Sequence, residues 1–147
     1  MSKKAIKLLI EKGFLENTAV ICFHTPVSKT TCIEYSPVDF RGKCERAFVV
    51  PIYDIDIECL PEYNLNYDTY FPEVKELAKY IIKCISEGYK IICQCEYGQS
   101  RSAACAAAIK EYYDKNGIEI FADYRYYPNQ LIFNKLLAAL KEVSCGN

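Results

Sequence analysis

Residues 91–104 read Ile-Ile-Cys-Gln-Cys-Glu-Tyr-Gly-Gln-Ser-Arg-Ser-Ala-Ala and carry the most informative pattern in the chain. An apolar run typical of a buried strand leads through a short polar loop into an alanine-rich segment that favours a helix. We therefore predict a strand over residues 89–94, a loop over 95–100 and a helix over 101–115. In open α/β sheets, ligands bind where a strand ends and a helix begins. The pattern predicts a ligand site at this loop.

The rest of the chain alternates between strand and helix patterns. β-rich apolar runs predict strands over residues 18–24 and 47–53, and Pro51 favours a sheet edge or a strand end. Apolar residues at helical spacing predict one helix ending at Gly13 and two more over residues 72–87 and 128–143. The segments 25–46 and 54–70 read as loops, the first with one short strand. The expected fold class is α/β, a central, mainly parallel sheet flanked by helices.

Composition excludes several classes of protein. The chain has 147 residues, 51% of them hydrophobic, and a net charge of −1, which fits one folded domain over residues 1–147 and excludes general disorder. No apolar run approaches the roughly 20 residues of a membrane span, and the first residues do not resemble a secretory signal. A pI near 5.9 argues against a nucleic-acid surface. Because the first residues do not resemble a secretory signal, the nine cysteines indicate reduced thiols in the cytoplasm.

The loop over residues 95–100, here named the cysteine loop, has the residue types of an anion site. Free backbone N–H groups at a helix start attract phosphate and lower the pKa of a nearby thiol. Cys95 is therefore expected to be a thiolate, and Ser102 to donate a hydrogen bond to it. Arg101 can grip two phosphate oxygens at once. Gly98 lets the backbone curl around the anion.

Cys95-Glu-Tyr-Gly-Gln-Ser-Arg-Ser102 resembles the HCxxGxxR[ST] loop of the cysteine-dependent protein tyrosine phosphatases, and its ending resembles the compact dual-specificity branch. The resemblance implies phosphate monoester hydrolysis through phosphocysteine. Cys95 would be the nucleophile, and Ser102 would stabilise it as a leaving group. The phosphate would be bound by Arg101 and by the loop residues Glu96, Tyr97, Gly98, Gln99 and Ser100. The expected partner is a phosphorylated protein or a small phosphate monoester, with no metal or cofactor and no membrane.

The resemblance also implies an aspartic acid that protonates the leaving oxygen. In such phosphatases this residue follows a strand ending like Val-Pro-Val-x-Asp, so Asp54, after Val50-Pro51-Ile52-Tyr53, is the first candidate. Asp56 is the second candidate and Asp68 the third. The stretch between Asp54 and Cys95 is several residues longer than in compact relatives. We assign the extra length to residues 58–70, as an insertion that shapes the pocket.

Two departures from the motif keep alternatives open. Gln94 stands where the motif has histidine, and Glu96 places a carboxylate beside the anion site. A catalytically weak module that only binds phosphate is therefore the alternative function. A rhodanese-like sulfur transferase is disfavoured by the spacing of Gly98, Arg101 and Ser102. A disulfide between Cys95 and a second cysteine is also open, with four candidate partners: Cys93, Cys44, Cys59 and Cys105.

Overall fold

A computed structural model describes residues 1–26 and 37–145. Within these ranges the chain forms three β-strands, five α-helices and one 3-10 helix. In chain order they are α1 (Lys3–Glu11), β1 (Leu15–His24), β2 (Cys44–Pro51), the 3-10 helix (Ile57–Tyr63), α2 (Val74–Ser86), β3 (Lys90–Gln94), α3 (Arg101–Asp114), α4 (Ile118–Ala122) and α5 (Gln130–Cys145). Of the predicted loop over residues 25–46, residues 27–36 lie outside the described residues, and residues 44–46 belong to β2.

The strands form one parallel sheet in the order β2-β1-β3. Cys22 of β1 pairs with Val49 on one side and Gln94 on the other. This confirms the predicted α/β class with a parallel sheet. Pro51 lies at the end of the edge strand β2, as its missing N–H requires. Because all three strands run the same way, the residues after them meet at one edge of the sheet.

Helices cover both faces of the sheet because β1 is apolar on both sides. Ile21 and Phe23 belong to the larger core, which α2, α3 and α5 complete. Val20 and Cys22, one residue out of phase, belong to a second core that includes Ile6 of α1. This double burial explains why β1 reads as a continuous apolar run. No helix in the described ranges has both the length and the apolar character to cross a bilayer.

The segment 54–70 is more ordered than a plain loop. It contains the 3-10 helix, which ends at Asn64 in a left-handed conformation. Asn66 Oδ1 then accepts the backbone N–H groups of Asp68 and Thr69. The buried Tyr70 donates its hydroxyl to the carbonyl of Tyr53 at 2.6 Å. The segment therefore supports the backbone next to Asp54. Local side-chain hydrogen bonds shape it, and these leave no periodic signal in the sequence.

Candidate active site

The cysteine loop joins the carboxyl end of β3 to the first turn of α3, the strand–loop–helix order that the sequence predicts. Gly98 has a φ of +72°, in the region that favours glycine. A Cβ atom there would also lie 2.6 Å from the backbone nitrogen of Ser2. Gly98 is thus required both by its own conformation and by the close approach of another backbone.

That approaching backbone belongs to residues 1–3, which line one side of the cysteine loop. The N–H of Cys95 donates to the carbonyl of Met1 at 3.1 Å, and the N–H of Lys3 donates to the carbonyl of Glu96 at 2.9 Å. The Lys3 ammonium also lies 4.0 Å from the Glu96 carboxylate. Glu96 therefore has a cationic neighbour. This contact could not be predicted from the sequence, because no local pattern indicates that two backbone segments more than 90 residues apart will pair.

Cys95 is 3% exposed, and its Sγ lies 3.2 Å from Ser102 Oγ. Burial by itself raises the pKa of the thiol. Hydrogen bonds from the Ser102 hydroxyl and from the N–H groups of Ser102 and Gly98, together with the charge of Arg101, outweigh burial and place the pKa of Cys95 below its ordinary value. By contrast, burial raises the pKa of Cys22 to about 11. The site thus selectively favours a thiolate at Cys95.

Replacing Ser102 with alanine should slow the reaction of Cys95 with iodoacetate at pH 6 about fivefold, the equivalent of a hydrogen bond worth about 1 kcal/mol. The hydroxyl stabilises the thiolate, so its loss raises the pKa of Cys95 and moves the pH dependence of inactivation upward. The rates of the two proteins should converge at alkaline pH, where both thiols are ionised. Alkylation followed by peptide mass spectrometry measures the rate of Cys95 modification at each pH. A rate lowered by the same factor at every pH would contradict the prediction.

Arg101 is buried, with 6% of its surface exposed, and begins α3. Its Nη1 donates to the carbonyl of Ile52 at 2.8 Å and to Thr25 Oγ1 at 3.2 Å. These acceptors follow β2 and β1, so the sheet edge orients the guanidinium. The buried Nε has no acceptor among the described residues. A buried charged donor without an acceptor is costly, and an anion in the loop would satisfy it.

Asp54 is the candidate acid that the structure brings to the cysteine loop. Its Oδ1 accepts the Ser100 hydroxyl at 2.7 Å and the Asn129 amide at 3.0 Å. Asp56 lies just before the 3-10 helix, beside a cavity that Glu58 also lines. Asp68 lies beside a different cavity, next to Lys75 and Lys135. Neither of these two carboxylates has a described hydrogen bond to the cysteine loop.

The other predicted loop residues differ in exposure. Tyr97 is 73% exposed and stands at the surface, and Gln99 is exposed as well. The carbonyl of Gln99 accepts the N–H of Tyr127 at 2.8 Å, so the segment before α5 holds this end of the loop. Gln94, at the position of the motif's histidine, is buried, and its amide donates to the carbonyl of Cys95 at 2.9 Å. The Gln94 side chain thus donates a hydrogen bond that orders the loop, but it adds no positive charge.

Asn129, directly before α5, is a site residue that the sequence analysis missed. Its side-chain amide bonds Asp54, and its backbone N–H donates to the carbonyl of Ser100 at 3.2 Å. The only sequence signal is the pair Pro128-Asn129 at a predicted helix start, which indicates an ordinary N-cap.

All eight cysteines in the described ranges are free thiols.

Comparisons with solved structures support the fold. No protein-family model matches the chain, and no curated protein matches its sequence. Among solved structures, human DUSP28 matches with a TM-score of 0.55 at 15% identity, over 100% of this chain and 93% of that one. A mouse putative dual specificity phosphatase complexed with zinc tungstate matches with a TM-score of 0.52 at 18% identity, over 97% and 79% of the two chains.

A third neighbour is a human tyrosine phosphatase-like serine/threonine/tyrosine-interacting protein. It matches with a TM-score of 0.50 at 20% identity, over 98% of this chain and 85% of that one. The chain therefore has the fold of the dual-specificity and tyrosine phosphatases, as the resemblance of its cysteine loop implies.

Proposed function

We propose that this chain hydrolyses phosphate monoesters through a phosphocysteine at Cys95. The observation that carries the proposal is the meeting of three groups at one loop: a thiol whose pKa is lowered, a buried guanidinium with an unpaired N–H, and a carboxylate. Cys95 begins the cysteine loop, Arg101 directly follows this loop at the start of α3, and Asp54 comes from the segment after β2. A purely structural cysteine would not need the other two beside it.

In the first step, the Cys95 thiolate attacks phosphorus and forms an S–P bond while the ester P–O bond breaks. The leaving oxygen takes a proton from Asp54. Arg101 and the loop amides stabilise the negative charge on the three equatorial oxygens. In the second step, water loses a proton to Asp54 and attacks phosphorus. The S–P bond then breaks, and the hydrogen bond from Ser102 stabilises the departing thiolate.

We assign protein phosphotyrosine as the substrate class. Residues 95–101 carry one cationic side chain, Arg101, and one carboxylate, Glu96, which has the Lys3 ammonium 4.0 Å away. This charge balance favours a single phosphate over polyphosphorylated inositides or nucleic acids. Tyr97, exposed on the loop itself, provides an aromatic surface for an aryl ester.

The second candidate function is a module that binds a phosphorylated protein without turnover. The observation that favours it is Gln94, which orders the loop through its amide but brings no positive charge beside Cys95. The neighbour described as a tyrosine phosphatase-like interacting protein has the same fold.

One experiment separates these functions. The chain is assayed for hydrolysis of para-nitrophenyl phosphate with chelator and reductant present, and tungstate binding is measured by calorimetry in parallel. Turnover that tungstate inhibits competitively supports the phosphatase. Tungstate binding without turnover indicates the binding module. A chain that neither turns over the ester nor binds tungstate would overturn both.

A further inference from the structure

We propose that Asn129 is a positioning residue that orients Asp54 for proton transfer. This role rests on the proposed function, because it presupposes that Asp54 is the general acid. The side chain of Asn129 has no described hydrogen bond to Cys95 or Arg101, whereas it binds the Asp54 carboxyl directly.

The side-chain amide of Asn129 holds both the Asp54 carboxyl and the backbone that follows it. Asn129 Nδ2 donates to Asp54 Oδ1 and to the carbonyl of Ile55, both at 3.0 Å. Ser100 Oγ donates to the same oxygen, Oδ1, at 2.7 Å. An oxygen that accepts two donors is a poor place for a proton. The proton of the acid form is therefore held on Oδ2, which sets the face of the carboxyl that delivers it.

Asn129 is itself fixed at its other polar atoms. Its Oδ1 accepts the N–H of Ile132 at 2.9 Å, which caps α5, and its N–H donates to the carbonyl of Ser100. The residue is 6% exposed. One buried amide thus links the start of α5, the end of the cysteine loop and the segment that carries Asp54. The distance from the acid to the phosphate site depends on this link.

A misoriented general acid should lower the hydrolysis rate most for substrates whose leaving group depends most on protonation. Phenoxide is a poorer leaving group than para-nitrophenoxide, so phenyl phosphate depends more on proton donation. Misplacement of a catalytic group by about 1 Å costs up to roughly 100-fold in rate. We expect Asn129→Ser to lower kcat about 30-fold for phenyl phosphate and about threefold for para-nitrophenyl phosphate. KM and tungstate inhibition should not change.

The test compares the wild type, four variants and one control on both esters; the variants are Asn129→Ser, Asn129→Asp, Asp54→Asn and the double variant Asp54→Asn/Asn129→Ser. Serine and aspartate both keep an N-cap acceptor for α5 but lack the amide donor, so a folding defect in one is checked by the other. Asn134→Ser, at an exposed position of α5, is the matched control. Asp54→Asn should show the same leaving-group dependence in a stronger form. The double variant should be no slower than Asp54→Asn alone.

The outcomes separate the two proposals. A wild type that hydrolyses neither ester overturns the proposed function and the role of Asn129 with it. A wild type that hydrolyses both, with equal losses for the two esters in Asn129→Ser, overturns the role of Asn129 alone. So does a double variant in which the two losses multiply, because Asn129 would then act independently of Asp54.

Discussion

We expect Cys95→Ser to lower the turnover of para-nitrophenyl phosphate by on the order of 10⁴-fold or more, the scale on which other enzymes lose activity without their nucleophile. The thiol is the group whose ionisation the surrounding loop favours, through the Ser102 hydroxyl and the N–H of Gly98. A serine hydroxyl at the same place stays protonated at neutral pH and does not attack phosphorus at a comparable rate.

The substitution should leave the anion site intact. Serine is nearly isosteric with cysteine, and Arg101 is held by Ile52 and Thr25 rather than by Cys95. Calorimetry should therefore show tungstate affinity within a few fold of the wild type. Cys145→Ser, at an exposed thiol near the end of α5, is the matched control and should keep full activity. Activity that survives Cys95→Ser would mean that another group attacks phosphorus.

The strand–loop–helix unit could be predicted from sequence because local rules govern it. The apolar run of β3, the glycine of the loop and the alanines of α3 each favour their observed conformation independently. The resemblance to the phosphatases makes Asp54 the first candidate acid, and the structure brings its carboxyl to Ser100. Its role as the acid stays a prediction.

The supporting contacts could not be predicted in the same way. Residues 1–3 lie against the cysteine loop through backbone atoms, which carry no residue-specific signal. Asn129 looks like a helix cap in the sequence, and it is one, but the same amide also reaches Asp54 across 75 positions. The short helix α4 has no buried residue and hence no apolar periodicity to indicate it. Sequence patterns report burial and local conformation, whereas these features depend on which segments meet.

We expect Arg101→Lys to lower kcat/KM for para-nitrophenyl phosphate by about 10³-fold, the range found when a preorganised charged donor is lost from a transition state. Lysine keeps the positive charge but not the planar fork. In the wild type, Nη1 is occupied by the carbonyl of Ile52, and the buried Nε remains to bind the phosphate. A single ammonium cannot satisfy that carbonyl and two phosphate oxygens in one plane.

The loss should appear in tungstate affinity as well as in rate, which distinguishes Arg101 from Cys95. Steady-state kinetics and calorimetry on the same preparation measure both quantities. Arg41→Lys is the matched control, because Arg41 is an exposed arginine paired with Asp39 and should tolerate the change without effect. Unchanged kcat/KM and tungstate affinity in Arg101→Lys would mean that the anion is held by charge alone. The loop amides, rather than the guanidinium fork, would then provide the geometry for phosphoryl transfer.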